Sequence, residues 1–368
     1  MKEIDDNRAN ELFEKVSTLI EQARNRVATV VNVAEVYTKY EIGRFIVDDE
    51  QRGKYRAEYG KRVLMALSER LTVRFGAGWS YSNLRQIRQF YLAYADLTTS
   101  GCQIPNENDS QRLSNSIDST KKAQEPYFQL SWSHYEILMR IVDPDVRKFY
   151  EIECVSQQWS KRQLRRQVGS SLYERLALSR NKEEVMRLSR DGQIVEKPSD
   201  IIKDPVTLEF LGLKPDVAYS ESKLEGAIIS KMQQFLLELG KGFLFEARQK
   251  RFTFEEQHFY VDLVFYNRLL QCYVLIDLKT GKLTHQDLGQ MQMYVNYYDR
   301  YVKQDFENPT IGILLCESKN DALVELTLPK DAHIYASAYQ LYLPDKALLQ
   351  AKVREWIEEF EHDDSPND

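Results

Sequence analysis

The chain has 368 residues, of which 43% are hydrophobic and 29% are charged, as is usual for a globular protein of two or three domains. It has no apolar run near the roughly 18 residues that span a membrane, and its charged N-terminus lacks the apolar stretch of a signal peptide, so we expect a cytoplasmic protein. The four cysteines and five histidines are scattered, which favours neither a disulfide framework nor a zinc site.

The formal net charge of −6 argues against a nucleic-acid partner when it is taken alone, but the basic residues are concentrated in two segments. Residues 52–94 hold nine Lys or Arg against two Glu, and residues 159–180 hold six against one. Such segments are compatible with phosphate binding, and they are equally compatible with a basic helix face that contacts only water.

The first half of the chain is predicted to be helical because its apolar residues recur every three or four positions. The first three predicted helices cover residues 10–47, Tyr59–Phe75 and about Asn83–Ala95. A Gly-Ala-Gly turn ends the second helix, and Ser80 or Ser82 can cap the third.

Helix, short turn and helix is the outline of a helix-turn-helix unit. The last helix of such a unit would present Arg85, Arg88 and either Asn83 or Gln86 outward, and these residue types suit contacts with DNA. The same types suit any exposed helix, so the outline alone is weak evidence for DNA binding.

Composition then divides the rest of the chain. Residues 97–126 are rich in Ser, Thr, Asn, Asp and Gln, which predicts a flexible excursion before helices resume near Leu130, over Pro144–Gln157 and over Ser160–Leu178. We therefore predict a helical, DNA-binding-like domain at residues 1–180, a proline-rich linker at 181–215 and a second domain at 216–368.

The second domain alternates between helix and strand patterns. The predicted order is a helix over Tyr219–Leu239, strands over Phe243–Phe254, Phe259–Tyr266 and Leu270–Leu278, a helix over Thr284–Tyr301, and short strands at Ile311–Leu315 and Ile334–Ala336. Asn267-Arg268 is expected to join the second and third strands in a tight hairpin. This order predicts an α/β domain with a mixed sheet flanked by helices, because the strand after a helix usually returns parallel.

Two acidic residues and one lysine interrupt the apolar strands. Asp262 lies in the middle of a strand, where an unpaired carboxylate is costly to bury. Asp277 and Lys279 end the next strand and point to one face, about 7 Å apart, because strand side chains alternate. If the two strands pair, Asp262 meets Asp277, and two close carboxylates suit a hard cation such as Mg²⁺ or Mn²⁺.

These groups are the parts that phosphodiester hydrolysis requires. A metal polarises the phosphate and lowers the pKa of a bound water, while a lysine beside that water can orient it, take its proton or neutralise charge on phosphorus. A structural Asp–Lys ion pair at a strand end is the alternative. The strand context, the upstream Asp262 and the downstream helix favour the hydrolytic site.

The arrangement of Asp262 and Asp277-x-Lys279 on adjacent strands, after a helix with Glu225, resembles the PD-(D/E)XK nuclease superfamily. The resemblance implies a restriction-endonuclease-like fold and a metal site that Glu225 assists. Val261 stands where the superfamily name has Pro, which is a common variation.

Residues on either side of this core are predicted to contact the substrate. Gln290-x-x-x-Tyr294 is similar to the Q-x-x-x-Y motif of the RecB-like branch, which implies that both residues lie near the site. Helical spacing places residues four apart on one face. Arg248 and Gln249 could meet phosphate, or they could be exposed residues of an edge strand.

A broader resemblance, to the YhcG-type family of bacterial PD-(D/E)XK proteins, covers nearly the whole chain. The shared motifs include Tyr59-Gly60, Trp79-Ser80, Gln89-Phe90-Tyr91, Ser131-Trp132-Ser133-His134-Tyr135, Leu172-Tyr173-Glu174-Arg175-Leu176 and Tyr260-Val261-Asp262-Leu263-Val264-Phe265. The resemblance implies a helical N-terminal domain, a C-terminal nuclease domain and a role in bacterial genome defence or DNA processing.

Three functions remain open at this point. The protein could be a metal-dependent DNA endonuclease, an RNA nuclease, or a non-catalytic protein that keeps the nuclease fold to bind nucleic acid or a partner. The third gains nothing from the crowded Asp262, Asp277 and Lys279, and the sequence shows no RNA-binding signature. We therefore expect a DNA endonuclease, and a homodimer would supply the two sites that cutting both strands needs.

Overall fold

The computed structural model describes residues 2–52, 57–95, 128–178, 182–214, 217–329 and 332–353. The chain divides into two compact units, Met1–Leu164 and Arg165–Asp368; the first is helical and the second is α/β. Within the described ranges, no helix has both the length and the apolar character needed to cross a membrane. The predicted excursion at 97–126 lies outside the described residues.

The described part of the first unit consists of helices. They are α1 (Lys2–Arg52), α2 (Ala57–Phe75), α3 (Tyr81–Tyr94), α4 (Trp132–Leu138) and α5 (Pro144–Gln157), with a short 3₁₀ turn at Ala77–Trp79 between α2 and α3. The predicted helices are confirmed, and α1 extends the first of them at both ends. Ser80 caps α3, because its side chain accepts a hydrogen bond from the backbone N–H of Asn83 at 3.3 Å.

An aromatic cluster holds α1, α3 and α4 together. Phe90 of α3 lies at its centre and contacts the rings of Tyr40, Tyr94, Phe128, Trp132 and Tyr135. The centroid distances run from 5.1 to 6.0 Å, which is the range of favourable edge-to-face and tilted packing. Trp132 and Tyr135 therefore belong to the core of this unit.

The second unit contains the sheet. Its helices are α7 (Leu172–Ala177), α8 (Lys182–Asp191), α9 (Glu221–Ser230), α10 (Met232–Leu239), α11 (His285–Tyr301) and α12 (Asp321–Thr327), and α6 (Lys161–Gly169) runs across the boundary between the units. Its strands are β1 (Val206–Thr207), β2 (Phe243–Phe254), β3 (Gln257–Asn267), β4 (Cys272–Lys282), β5 (Ile311–Ser318) and β6 (Ile334–Gln340).

The six strands form one mixed sheet in the order β1-β6-β5-β4-β3-β2. Strands β2, β3 and β4 are antiparallel neighbours, whereas β4, β5, β6 and β1 are parallel. One face packs on α9 and α10, and the other packs on α11. The predicted α/β domain with a mixed sheet between helices is confirmed.

Several boundaries differ from the prediction. The helix expected over Tyr219–Leu239 is broken at Lys231, and the one expected over Ser160–Leu178 is broken where Ser171 has a positive φ of 52°. The tight two-residue turn lies at Glu255-Glu256, between β2 and β3, while residues 268–271 connect β3 to β4.

The segment predicted as a linker, 181–215, carries regular structure in its described part. It contains α8 and β1, and Val206 and Thr207 of β1 are buried where they pair with β6. The structure also divides the chain after Leu164, whereas the sequence suggested a division at 180.

Candidate active site

The two aspartates lie opposite each other on β3 and β4. The ladder between these strands ends at the pair Leu263–Ile276, so Asp262 and Asp277 occupy the next positions, where the strands separate. The backbone N–H of Leu278 instead donates a hydrogen bond to Oδ2 of Asp262 at 2.8 Å. The sequence therefore correctly placed the two carboxylates side by side.

Asp277 is a buried carboxyl group, 3% exposed. Burial, followed by the negative charge of Asp262, raises the pKa of Asp277 to about 7, although Lys279 acts in the opposite direction. Oδ2 of Asp277 lies 2.7 Å from Nζ of Lys279, which confirms that these two side chains share a face. The site thus confines two repelling carboxyl groups beside one cation.

Lys279 is held among acidic side chains. Burial acts to lower its pKa, but the carboxylates of Asp277, Glu221 and Asp262 together outweigh burial, and the net effect raises the pKa of Lys279 above its ordinary value. Glu221 contributes a longer ion pair of 3.8 Å. Lys279 is therefore a cation at neutral pH. The sequence prediction did not include Glu221, although Glu221 precedes Glu225 by four residues and so shares its face of α9.

Glu225 reaches the same region from α9. It is 4% exposed, and its Oε1 accepts a hydrogen bond from Nε of Arg248 at 2.5 Å. Its Oε2 accepts one from Nε2 of Gln249 at 2.8 Å, and the same amide nitrogen donates to Oδ1 of Asp262 at 2.8 Å. Gln249 therefore bridges Glu225 and Asp262.

The backbone of β2 explains how Gln249 reaches both acids. A bulge lies between Phe245 and Ala247, and Gln249 has a positive φ of 46°, which non-glycine residues adopt at a cost of about 1–3 kcal/mol. Arg248 and Gln249 were expected to meet phosphate or solvent. They are exposed, which was one of the two alternatives, but their polar groups are directed to the acids.

Gln290 and Tyr294 lie together on α11. Nε2 of Gln290 donates a hydrogen bond to the hydroxyl of Tyr294 at 2.5 Å. Burial, followed by the charge of Asp277, raises the pKa of Tyr294 to about 12, so this ring lies within electrostatic range of the aspartates. Thr284 and Asp287 form the capping box that starts the helix.

The donor set fits a divalent cation in part. Asp262 and Asp277 offer hard oxygen ligands from adjacent strands, and a cation between them would offset both the burial of Asp277 and its repulsion. Glu225, the third expected ligand, is engaged by Arg248 and Gln249. Across the described residues, no group of three or more acidic, His or Cys side chains is arranged to hold a metal. The metal ligands that this site offers are therefore two carboxylates, with water or phosphate oxygens completing the coordination.

Two of the three candidate DNA contacts of the first unit, Asn83 and Arg88, are less available than expected. Nδ2 of Asn83 donates to the carbonyl of Gly78 at 2.9 Å, and Nε of Arg88 pairs with Glu50 of α1 at 2.7 Å. Both side chains thus fix α3 within its own unit. Arg85 is exposed and lies over the ring of Tyr81.

Comparison with known protein families identifies the class to which this chain belongs. Residues 199–354 match the YhcG PDDEXK nuclease domain, and residues 15–175 match the DUF1016 N-terminal domain. The chain is also 37% identical over 350 residues to a protein of Escherichia coli (strain K12) named "Putative nuclease YhcG", and the match covers 92% of each chain. The chain belongs to the YhcG family of nuclease-domain proteins.

Among solved structures, the chain is similar to a repair endonuclease from Pyrococcus abyssi. The two share 19% sequence identity with a TM-score of 0.24, and the match covers 36% of this chain and 50% of the other. The chain thus spans half the length of that structure, and the TM-score is too low for the likeness to bear on the site.

Proposed function

We propose that the second unit is a divalent-metal-dependent nuclease that hydrolyses DNA, with Asp262, Asp277 and Lys279 as its catalytic residues. The placement of two carboxyl groups and a charged lysine where β3 and β4 separate carries this proposal. A structural Asp277–Lys279 ion pair would be stronger without Asp262, because the charge of Asp262 opposes ionisation of Asp277. The two close carboxyl groups repel each other, and a bound cation would remove this repulsion. Such an arrangement supports a functional site and not a purely structural one.

The two aspartates and the lysine would have distinct roles in the proposed hydrolysis. Asp262 and Asp277 would hold Mg²⁺ or Mn²⁺, which supplies polarisation of the scissile phosphate and activation of the attacking water. Lys279, being protonated, would donate hydrogen bonds to that water or to phosphate oxygen and so stabilise the charge that grows on phosphorus. Its raised pKa favours this role over that of a general base.

The surrounding side chains would position the substrate and the acids. Gln290 and Tyr294 lie on the helix beside the aspartates and would contact the nucleotide. Glu225 would assist the cation site through Gln249, which already joins it to Asp262. Arg248 would meet phosphate once its contact with Glu225 is released.

We further propose that the first unit contributes DNA affinity through exposed basic residues. Arg70, Arg74 and Arg85 are exposed on α2 and α3, within the segment whose charge balance is strongly positive. Phosphate contacts of this kind are independent of base sequence and weaken with salt. Two copies of the chain would then cut the two DNA strands. The proposed setting is the cytoplasm of a bacterium, and the proposed role is genome defence or DNA processing.

A substrate panel tests the proposal. Plasmid, linear duplex, single-stranded and branched DNA, and RNA, are incubated with the purified chain over a titration of Mg²⁺ and Mn²⁺, with EDTA as the metal-free control. The expected result is cleavage of at least one DNA substrate that EDTA abolishes and that the double variant Asp262→Asn, Asp277→Asn lacks. Cleavage of RNA, with none of the DNA substrates cut, would identify RNA as the substrate in place of DNA. DNA binding with no cleavage under any metal would favour the non-catalytic alternative.

A further inference from the structure

The N-terminal part of α1 is an exposed helix. Farther along the same helix, Val36, Tyr40, Ile46 and Val47 are buried in the first unit. By contrast, none of the side chains described between residues 13 and 31 is buried. At 1.5 Å per residue, this exposed stretch is about 27 Å long.

This stretch carries large apolar side chains that contact water. Seven of them are between 45% and 67% exposed, namely Phe13, Val16, Leu19, Ile20, Val27, Val30 and Val31. Isolated apolar residues are common on protein surfaces, but a contiguous set on one helix marks an interaction surface. We call these seven residues the α1 stripe.

The spacing of the α1 stripe is that of a coiled coil. Phe13, Ile20 and Val27 recur every seven residues, and Val16 and Val30 lie three residues after the first and the third of them. A helix whose apolar residues repeat every 3.5 positions keeps its seam against a second helix with the same repeat. The stripe therefore predicts a helical partner, not a flat surface.

We propose that the partner is the α1 stripe of a second copy of this chain. A stripe that pairs with an identical stripe needs no other complementary surface. By the same count, six positions flank the seam between residues 17 and 33: four are uncharged (Ser17, Leu19, Val31 and Val33) and two are basic (Arg24 and Arg26), so the flanks of two copies are mainly uncharged. The stripe offers on the order of 700 Å² of accessible surface per chain, close to the roughly 800 Å² that each partner buries in a standard interface.

Association through α1 would give one particle with two nuclease domains. That consequence rests on the proposed function, since two sites are needed to cut both strands of a duplex. The association itself does not, because the α1 stripe contains none of the proposed catalytic residues.

Sedimentation velocity and light scattering of the full chain test the proposal. The expected mass is twice the 43.2 kDa of one chain, and Val27→Lys combined with Val30→Lys should convert it to a monomer. Thr18→Lys combined with Asn32→Lys adds the same charge on the opposite side of the helix and should remain dimeric. A monomeric parent at micromolar concentration, or a dimer that survives the stripe variant, would overturn the proposal.

A milder variant guards against loss of folding. Val27→Ala combined with Val30→Ala does not lower helix propensity and should raise the dimer dissociation constant at least about tenfold. An unchanged dissociation constant would contradict the proposal. Cleavage of single-stranded DNA distinguishes dimerisation through the α1 stripe from the nuclease activity. A variant that is monomeric but still cuts single-stranded DNA would show that the stripe is needed for association and not for catalysis. A parent chain that dimerises but cuts no substrate would count against the proposed nuclease activity and not against the dimer.

Discussion

Replacement of Glu238 by Gln is expected to destabilise the second unit strongly. Glu238 lies in α10 and is 0% exposed, and its carboxylate forms ion pairs with Arg175 and with Arg166, the latter at 3.0 Å. It also accepts a hydrogen bond from the backbone N–H of Thr207 at 3.0 Å, which anchors the edge strand β1. Removing its charge leaves the buried guanidinium of Arg175 without its counter-ion.

The pKa of Glu238 sets the size of the effect. Burial acts to raise this pKa, but the charges of Arg175, Lys203 and Arg166 outweigh burial and lower it to about 2. Relative to the ordinary value of 4.5, a shift of this size corresponds to about 3 kcal/mol. Breaking a buried ion pair by removing one partner typically costs about 3–5 kcal/mol, which agrees.

The pH dependence follows from the direction of the shift. Because the folded-state pKa is lower than the unfolded one, the contribution of Glu238 is present above about pH 4.5 and is lost as the pH falls toward 2. The difference between parent and variant should therefore be about 3 kcal/mol at pH 7 and less than half of that near pH 3.

Urea unfolding followed by far-ultraviolet circular dichroism measures this difference. Glu209→Gln is the control, since among the described residues Glu209 forms an ion pair with Arg166 alone and its side chain is 19% exposed, and it should cost about 1 kcal/mol or less. A Glu238→Gln variant that loses less than about 1 kcal/mol at pH 7, or that matches the control, would refute the reasoning.

Three further predictions follow from named contacts. Gly43→Ala should lower the free energy of unfolding by about 1–3 kcal/mol in urea titrations, because a Cβ there would lie 2.6 Å from the carbonyl oxygen of Ile87; Gly289→Ala, which meets open space, should not. Lys279→Met should reduce the single-turnover cleavage rate about 10²–10³-fold, while DNA affinity in a filter-binding assay should be retained. An unchanged rate would exclude Lys279 as the residue that stabilises charge on phosphorus. Arg70→Gln combined with Arg85→Gln should weaken DNA binding equally across sequences and reduce the salt slope by up to about 2, whereas an unchanged slope would place the phosphate contacts elsewhere.

The parts of the fold that depend on local pattern could be predicted from the sequence. Strand alternation placed Asp277 and Lys279 on one face, and the pairing of two adjacent apolar strands placed Asp262 beside Asp277. The mixed sheet followed from the order of elements. These inferences needed only the spacing of neighbouring residues.

The parts that depend on distant contacts could not be predicted. The two-residue strand β1 is too short to show a pattern, and it exists because β6 and the side chain of Glu238 bind its backbone. Arg88 pairs with Glu50, which is 38 residues away. The positive φ of Gln249, which directs its amide to Glu225 and Asp262, is a property of the bulged strand and leaves no signature in residue type.

Single-turnover cleavage by the Asp277→Asn variant tests the central claim most directly. The substrate is the DNA that the parent cuts fastest, and enzyme is in excess so that DNA occupancy is matched. Asp305→Asn, an exposed residue with the same change of charge, is the control. We predict that Asp277→Asn loses at least about 10³-fold in rate with Mg²⁺ or Mn²⁺ while Asp305→Asn cuts like the parent. A folded Asp277→Asn protein that cuts at the parental rate would contradict the account.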